Sequence, residues 1–348
     1  MPLVDEISIK EVAEVAGVHR STASKVLNND SAFRINQATR RRILTAAQQL
    51  GFRREQQFTA PSGVRNIGVL NIFKYNKQLN PFFSDVFDGI DAEARQQGIN
   101  LYLINNLERL NLMQLLHGPG FMGMISLGVM PEWLPIFELA NKPIVGIEAP
   151  HHFHAPWLYV VRTDSVQGMY QAARHVIEAG HRNIYYLSFR EGFGRESQVS
   201  LERFSGVAMA LREAGLPMGE NRILTDFVHA DAEEPAATAR GHRAMMELLS
   251  RDVQFPLACI CFSDLDAEGA ARAAKEKGLR IPQDVSLVGY DDIPAAAAMS
   301  PPLTTISVPR VELGRQAIRT ILQVPQGNAN HETILNNELV VRQSVLKL

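Results

Sequence analysis

The 348-residue sequence contains only two cysteines, Cys259 and Cys261, and both fall in one short apolar run. Alternating with Ala258, Ile260 and Phe262, they point to one face of a buried strand rather than to a disulfide or a metal site. No apolar run reaches the ~18 residues that a membrane helix needs, so no membrane partner is expected. The opening residues MPLVDEIS are acidic and lack the basic, then apolar, build of a secretion signal, so the expected location is the cytoplasm. Also missing are a P-loop, a G-x-G-x-x-G after the first strand, H-E-x-x-H and G-x-S-x-G, which leaves an enzyme reading resting on fold alone. The ten histidines cluster only at His151, His152 and His154, in a Pro-flanked loop without carboxylate or cysteine partners at useful spacing. A solvated loop explains them, and neither a metal nor a cofactor is expected.

The chain is long enough for two or three domains. Its net charge of −2 argues on its own against nucleic-acid binding, but the charge is unevenly placed. Residues 1–57 hold nine Lys/Arg against six Asp/Glu, whereas the remainder holds 26 against 31. A small basic head on an acidic body suggests that only the head meets phosphate.

That head reads as three short helices. Ser8 and Glu11 have the Ser-x-x-Glu form of a capping box, and Val12, Ala13 and Ala16 follow at helical spacing before Gly17 breaks the run. A second stretch from about His19 to Leu27 sets Ala23 and Val26 inward and Arg20, Ser21, Ser24 and Lys25 outward. A third begins near Gln37, with Ile43 and Ala46 inward, and Gly51 closes it. Two helices across a Gly-containing turn, braced by a third, form a helix-turn-helix, and the short polar cationic face of the second suits the major groove. The alternative is a small bundle with a solvated basic face.

Residues 7–30, ISIKEVAEVAGVHRSTASKVLNND, closely resemble the DNA-binding head of the lactose-repressor (LacI/GalR) family. The resemblance implies that Arg20, Ser21 and Lys25 read bases while Thr22, Ser24 and Asn28 contact phosphate, as their chemistry allows. The DNA-facing set also takes in Ser8, His19, Arg34, Asn36 and Thr39. His19 replaces the family's usual Ser, a poorer cap that could instead touch DNA, and Lys25 replaces the commoner Arg. Residues 53–66 read as a linker. The family's Pro-Asn hinge start and Leu wedge are not evident there, leaving Phe58 as the one large apolar candidate for a minor-groove wedge, against a plain flexible tether.

From Asn66 onward, apolar strand-like runs alternate with amphipathic helices, which indicates parallel sheets with helices on both faces. The resemblance continues through Asn80-Pro81-Phe82-Phe83, Gly180-His181-Arg182, Glu202-Arg203-Phe204-Ser205-Gly206 and residues 285–305, VSLVGYDDIPAAAAMSPPLTT. It implies an all-α helix-turn-helix head joined to an α/β periplasmic-binding-protein-like core of two Rossmann-like subdomains, with three chain crossings between them. The expected boundaries are 1–57 for the head, 58–66 for the linker and 67–348 for the core. Within the core the N-subdomain is expected at 67–162 and 291–323, and the C-subdomain at 163–290 and 324–348.

By the same resemblance the effector cleft would use Glu148, Arg203, Phe227 and Asp291, with Phe82 as a wall and Ser263 where the family has Asn. Carboxylates, a guanidinium and aromatic faces suit a sugar or sugar derivative. Against this, Arg203 and Asp291 could form an internal salt bridge, Phe82 and Phe227 could be core, and Asp164 fits a helix cap better than a ligand contact. The whole implies a homodimeric repressor that binds double-stranded operator DNA under control of a small molecule. A sugar-binding transport component would share the cleft but would not need the head.

Overall fold

The structure, a computed structural model, describes residues 9–27, 35–36, 38–39, 42–43, 45–46, 65–71, 81–104, 118, 120–128, 138, 142–149, 155–190, 198–217, 219, 222–227, 236–324 and 331–348. The chain divides into two compact units, residues 1–59 and 60–348.

In the first unit, α1 (Ile9–Val15) and α2 (Arg20–Leu27) are joined by a turn in which Gly17 takes a φ of 59°, a left-handed value that favours glycine. The Arg42 guanidinium, from a third helical stretch, donates to the carbonyls of Ala16 at 2.5 Å and Gly17 at 3.2 Å, which satisfies the end of α1. Val12, Ala13, Ala16, Ala23, Val26, Ile43 and Ala46 make the small core, so three short helices approach closely over alanines.

The second unit holds two six-stranded sheets. In the first, β1 (Arg65–Asn71), β2 (Ile99–Ile104), β3 (Phe121–Leu127), β4 (Ile144–Ile147), β5 (Leu158–Thr163) and β11 (Glu332–Leu335) run in the order 11-5-4-3-1-2, all parallel. The second has the order 12-10-9-8-6-7, built from β6 (Ile184–Arg190), β7 (Ile223–Phe227), β8 (Leu257–Cys261), β9 (Val285–Asp291), β10 (Thr304–Ser307) and β12 (Glu338–Val340). Only the β10–β12 pair there is antiparallel. Apolar runs such as IVGI and LACIC are buried along their whole length, as strands covered on both faces must be.

Helices α3 (Pro81–Gln96) and α9 (Arg310–Gln323) pack together on the first sheet. The second sheet carries α4 (Ser165–Glu178), α5 (Gln198–Glu213), α6 (Ala236–Leu249), α7 (Asp264–Glu276) and the short α8 (Pro294–Ala298). None of the described helices is long and apolar enough to cross a membrane.

This topology corrects the expected subdomain boundaries. Residues 291–309 stay with the C-terminal half because β10 pairs with β9, and β11 belongs to the N-terminal half because it pairs with β5. The chain therefore crosses near residues 163–164, 308–309 and 336–337, so the second and third crossings fall later than the resemblance implied.

The α3–α9 contact is close. A Cβ on Gly89 would lie 2.0 Å from the Val311 carbonyl oxygen, and one on Gly314 would lie 2.0 Å from that of Val86. Two interlocked glycines let the backbones touch. Gly89→Ala must push the helices apart, at a cost of about 1–3 kcal/mol or more. Urea unfolding followed by tryptophan fluorescence should show it, since Trp133 and Trp157 both lie in the second unit. A midpoint unchanged from wild type would mean that the helices do not meet at these glycines.

Candidate functional site

On α2, Ala23 and Val26 are buried. At about 100° per residue, the side opposite them is centred on Ser21, with Ser24 and Lys25 to either side and Arg20 at the helix tip. Arg20, Ser21 and Lys25 are exposed, and Thr22 and Ser24 are half-buried.

His19 caps this helix. Its ring Nδ1 accepts the Ser21 backbone N–H at 3.3 Å and lies 2.7 Å from the Ser21 hydroxyl, so the ring takes over the usual serine's task. Asn36 likewise accepts the Thr39 N–H at 2.7 Å, giving both residues a capping role at the third helical stretch. Ser8, Asn28, Arg34 and Phe58 lie outside the described residues, as do residues 53–64 of the linker and His151, His152 and His154, whereas Arg65 and Asn66, expected to end the linker, already belong to β1.

In the second unit, the candidate cleft residues gather beyond the carboxyl ends of parallel strands, where open α/β sheets place their ligands. Glu148 follows β4, Asp291 ends β9, Ser263 follows β8, and Arg203 reaches in from α5. Glu148 and Asp291 have φ values of 50° and 106°, and Asp292 one of 53°. Left-handed non-glycine residues cost of order 1–3 kcal/mol each and concentrate at functional sites.

Arg203 is the centre of this group. Its Cζ lies 3.8 Å from the Tyr290 ring centroid and 4.3 Å from that of Phe262, so two rings contact the guanidinium. Nη1 donates to the Phe262 carbonyl at 2.5 Å and Nη2 to Asp291 Oδ1 at 3.4 Å. Nε is buried with no partner among the described residues. The internal ion pair weighed from the sequence therefore exists, and one donor edge remains unused.

Glu148 Oε1 accepts both the backbone N–H and the hydroxyl of Thr163, each at 2.9 Å. Burial pushes the Glu148 carboxyl up to about 7, against the Thr163 bonds and the attraction of Arg203. Burial likewise lifts Asp291 to about 6, opposed by the charges of Arg203 and Arg310.

Other candidates take structural places. Ser263 caps α7 and donates to Asp266 Oδ2 at 2.6 Å, so its hydroxyl proton is engaged inside the protein. Asp164 caps α4 through the Gln167 N–H at 2.9 Å. Phe82 is 7% exposed within the core cluster, edge to face with Phe83. Phe227 ends β7, and its side chain lies outside the described residues. Sequence reasoning missed Phe262, Tyr290 and Thr163. Each is the last or next residue of an apolar strand, and that position was the available signal.

Residues 8–55 match the bacterial regulatory proteins of the lacI family, and residues 173–345 match a periplasmic binding protein-like domain. The chain is 30% identical to the HTH-type transcriptional repressor PurR of Photobacterium profundum, over 98% of this chain and 99% of that one. It is also 30% identical to the HTH-type transcriptional repressor CytR of Escherichia coli strain K12, over 98% and 97%. Among solved structures, a transcriptional regulator CelR–cellobiose complex aligns with a TM-score of 0.67 at 27% identity, over 97% of this chain and 99% of that one. The lac repressor dimer bound to operator and the anti-inducer ONPF shares the fold, with a TM-score of 0.66 at 24% identity over 98% and 100%.

Proposed function

The chain belongs to the lacI family of bacterial regulatory proteins, and from that premise we propose that this transcriptional regulator is a repressor controlled by an uncharged, polyhydroxylated effector. It is not an enzyme. The observation that carries the effector class is the charge of the cleft, where two strained carboxylates, Glu148 and Asp291, surround one guanidinium already paired with Asp291.

A phosphorylated ligand would meet Glu148 without a spare cation among the described residues. Arg310 pairs with Asp85, and Arg342 with Asp292. Hydroxyls, in contrast, can donate to both carboxylates and accept from Arg203 Nε. Cellobiose in the CelR complex is a ligand of this neutral class.

Two heads on a homodimer, acting in the cytoplasm, would read half-sites about 34–36 Å apart. Arg20, Ser21 and Lys25 make the base-facing set, and Thr22, Ser24 and Asn28 flank it on the phosphates. The domain division that supports this is a head of residues 1–57 and a core whose first strand, β1, begins at Arg65.

A thermal-shift panel of neutral pentoses, hexoses, disaccharides and nucleosides, each beside its phosphate, tests the effector class. Neutral members should stabilise the protein and their phosphates should not. Bonds from ligand hydroxyls favour the ionised carboxylates, so binding at neutral pH releases protons and the shift should grow from pH 6 to pH 8. A sugar phosphate that stabilises more than its parent sugar would overturn the reading.

A further inference from the structure

The left-handed pair Asp291-Asp292 is held from the other half of the core. Arg310, the first residue of α9, donates through Nη1 to the Asp291 carbonyl and through Nη2 to the Asp292 carbonyl at 3.0 Å. Its Nε donates to Asp85 Oδ2 on α3 at 2.8 Å. The Asp292 carboxylate is taken separately by Arg342 at 2.6 Å, from the C-terminal half. One planar cation thus grips two consecutive strained carbonyls and one carboxylate, three acceptors contributed by two different sheets' layers.

We propose that Arg310 is the positioning residue for the cleft carboxylate Asp291, fixing its strained backbone and tying it to α3 through Asp85. Strained residues persist only where surrounding structure over-determines them, and here the determining group is the Arg310 fork. The anchor is firm. α3 and α9 interlock at Gly89 and Gly314, and a second bridge joins them where Arg319 meets the buried Glu93 at 2.9 Å. Asp291 cannot change backbone conformation without disturbing Arg310, and Arg310 cannot move without disturbing α3.

The inference gives the effector site, on the reading of Asp291 above, a direct link to a helix of the N-terminal half. The charged groups facing Asp291 are Arg203 on α5, Arg310 on α9, Glu148 after β4, and the carboxylates of Asp264 and Asp266 at the start of α7. Lysine at 310 keeps the cation but loses the planar fork, and glutamine loses the charge.

Hydrogen–deuterium exchange on the full chain tests the tie without any ligand. In Asp85→Asn, whose substitution lies on α3, exchange in the 286–293 peptide of the opposite half should speed by about tenfold, as it should in Arg310→Gln. The double variant should add little, because both changes break one connection. An Asp85→Asn effect confined to residues 81–96, or additive effects, would overturn the proposal. A second readout follows Asp291 by carboxyl-carbon NMR. Arg310→Gln should move its titration to higher pH and Arg310→Lys should largely restore it, whereas a purely structural Arg310 would leave it where it is. The effector panel failing while the exchange effect holds would remove the effector reading alone. Asp85 is 32% exposed at its side chain, so Asp85→Asn keeps the test open even where Arg310 variants fail to fold.

Discussion

Arg203→Ala should abolish the response to effector and destabilise the core, with the larger loss at high pH. The wild-type guanidinium touches two rings, one backbone carbonyl and Asp291. Its removal leaves a cavity and two carboxylates without their shared cation. Breaking a buried pair from one side typically costs about 3–5 kcal/mol, since the remaining charge stays desolvated. Glu148 and Asp291 can escape that cost by taking up protons.

Both groups titrate high in the folded protein, near 7 and 6, against ordinary values of 4.5 and 3.8. The folded state therefore binds more protons than the unfolded state across this interval. The stability these groups contribute is fully present below about pH 4 and is lost as pH rises through 6 and 7. Without Arg203 both titrations move higher still, so the variant's deficit should be smaller near pH 5, where the lost packing dominates, than at pH 8. Urea unfolding read by tryptophan fluorescence at the two pH values measures it. Equal deficits would show that Arg203 acts through packing and not through charge. Arg203→Met, which restores most of the volume, should recover stability and still ignore effector.

Much of the fold was legible because it rests on patterns with a short period. Parallel strands buried on both faces read as unbroken apolar runs, and β3, β4 and β8 fall where those runs lie. The strands missed are of another kind. β10 opens on Thr304-Thr305, whose hydroxyls are buried and bonded, to the Asp264 carboxylate in the case of Thr305, and β11 and β12 are short edge strands with exposed residues. Crossings between halves leave no periodic trace. β10 and α9 are three residues apart in sequence and lie in different halves.

The candidate site was partly legible. Arg203 and Asp291 were singled out through motif resemblance and the structure pairs them, but the stacking of Phe262 and Tyr290 on Arg203 depends on where strand ends meet α5, which sequence spacing does not encode. At Ser263, a position aligned with a ligand contact, sequence spacing did not reveal that the hydroxyl also caps the helix it precedes and satisfies an orphan amide there.

In the head, Arg20→Ala should lower operator affinity by about 10- to 100-fold, the ~1–3 kcal/mol of a bidentate base contact, and should relax preference at one base position of each half-site. Lys25→Ala should weaken binding too, but a lysine gives a point charge without a fork. If it meets a phosphate, the loss is uniform across sequences, and the slope of log affinity against log salt falls by about one per head. If it meets a base edge, the slope holds and discrimination falls. Fluorescence anisotropy on wild-type and base-substituted operators at several salt concentrations separates these outcomes. Both side chains are exposed on α2, away from Ala23 and Val26, so neither change should alter unfolding of the head. An Arg20→Ala protein that keeps full operator affinity and selectivity would remove α2 as the reading helix, and the basic balance of the head would then have to act through phosphate contacts alone.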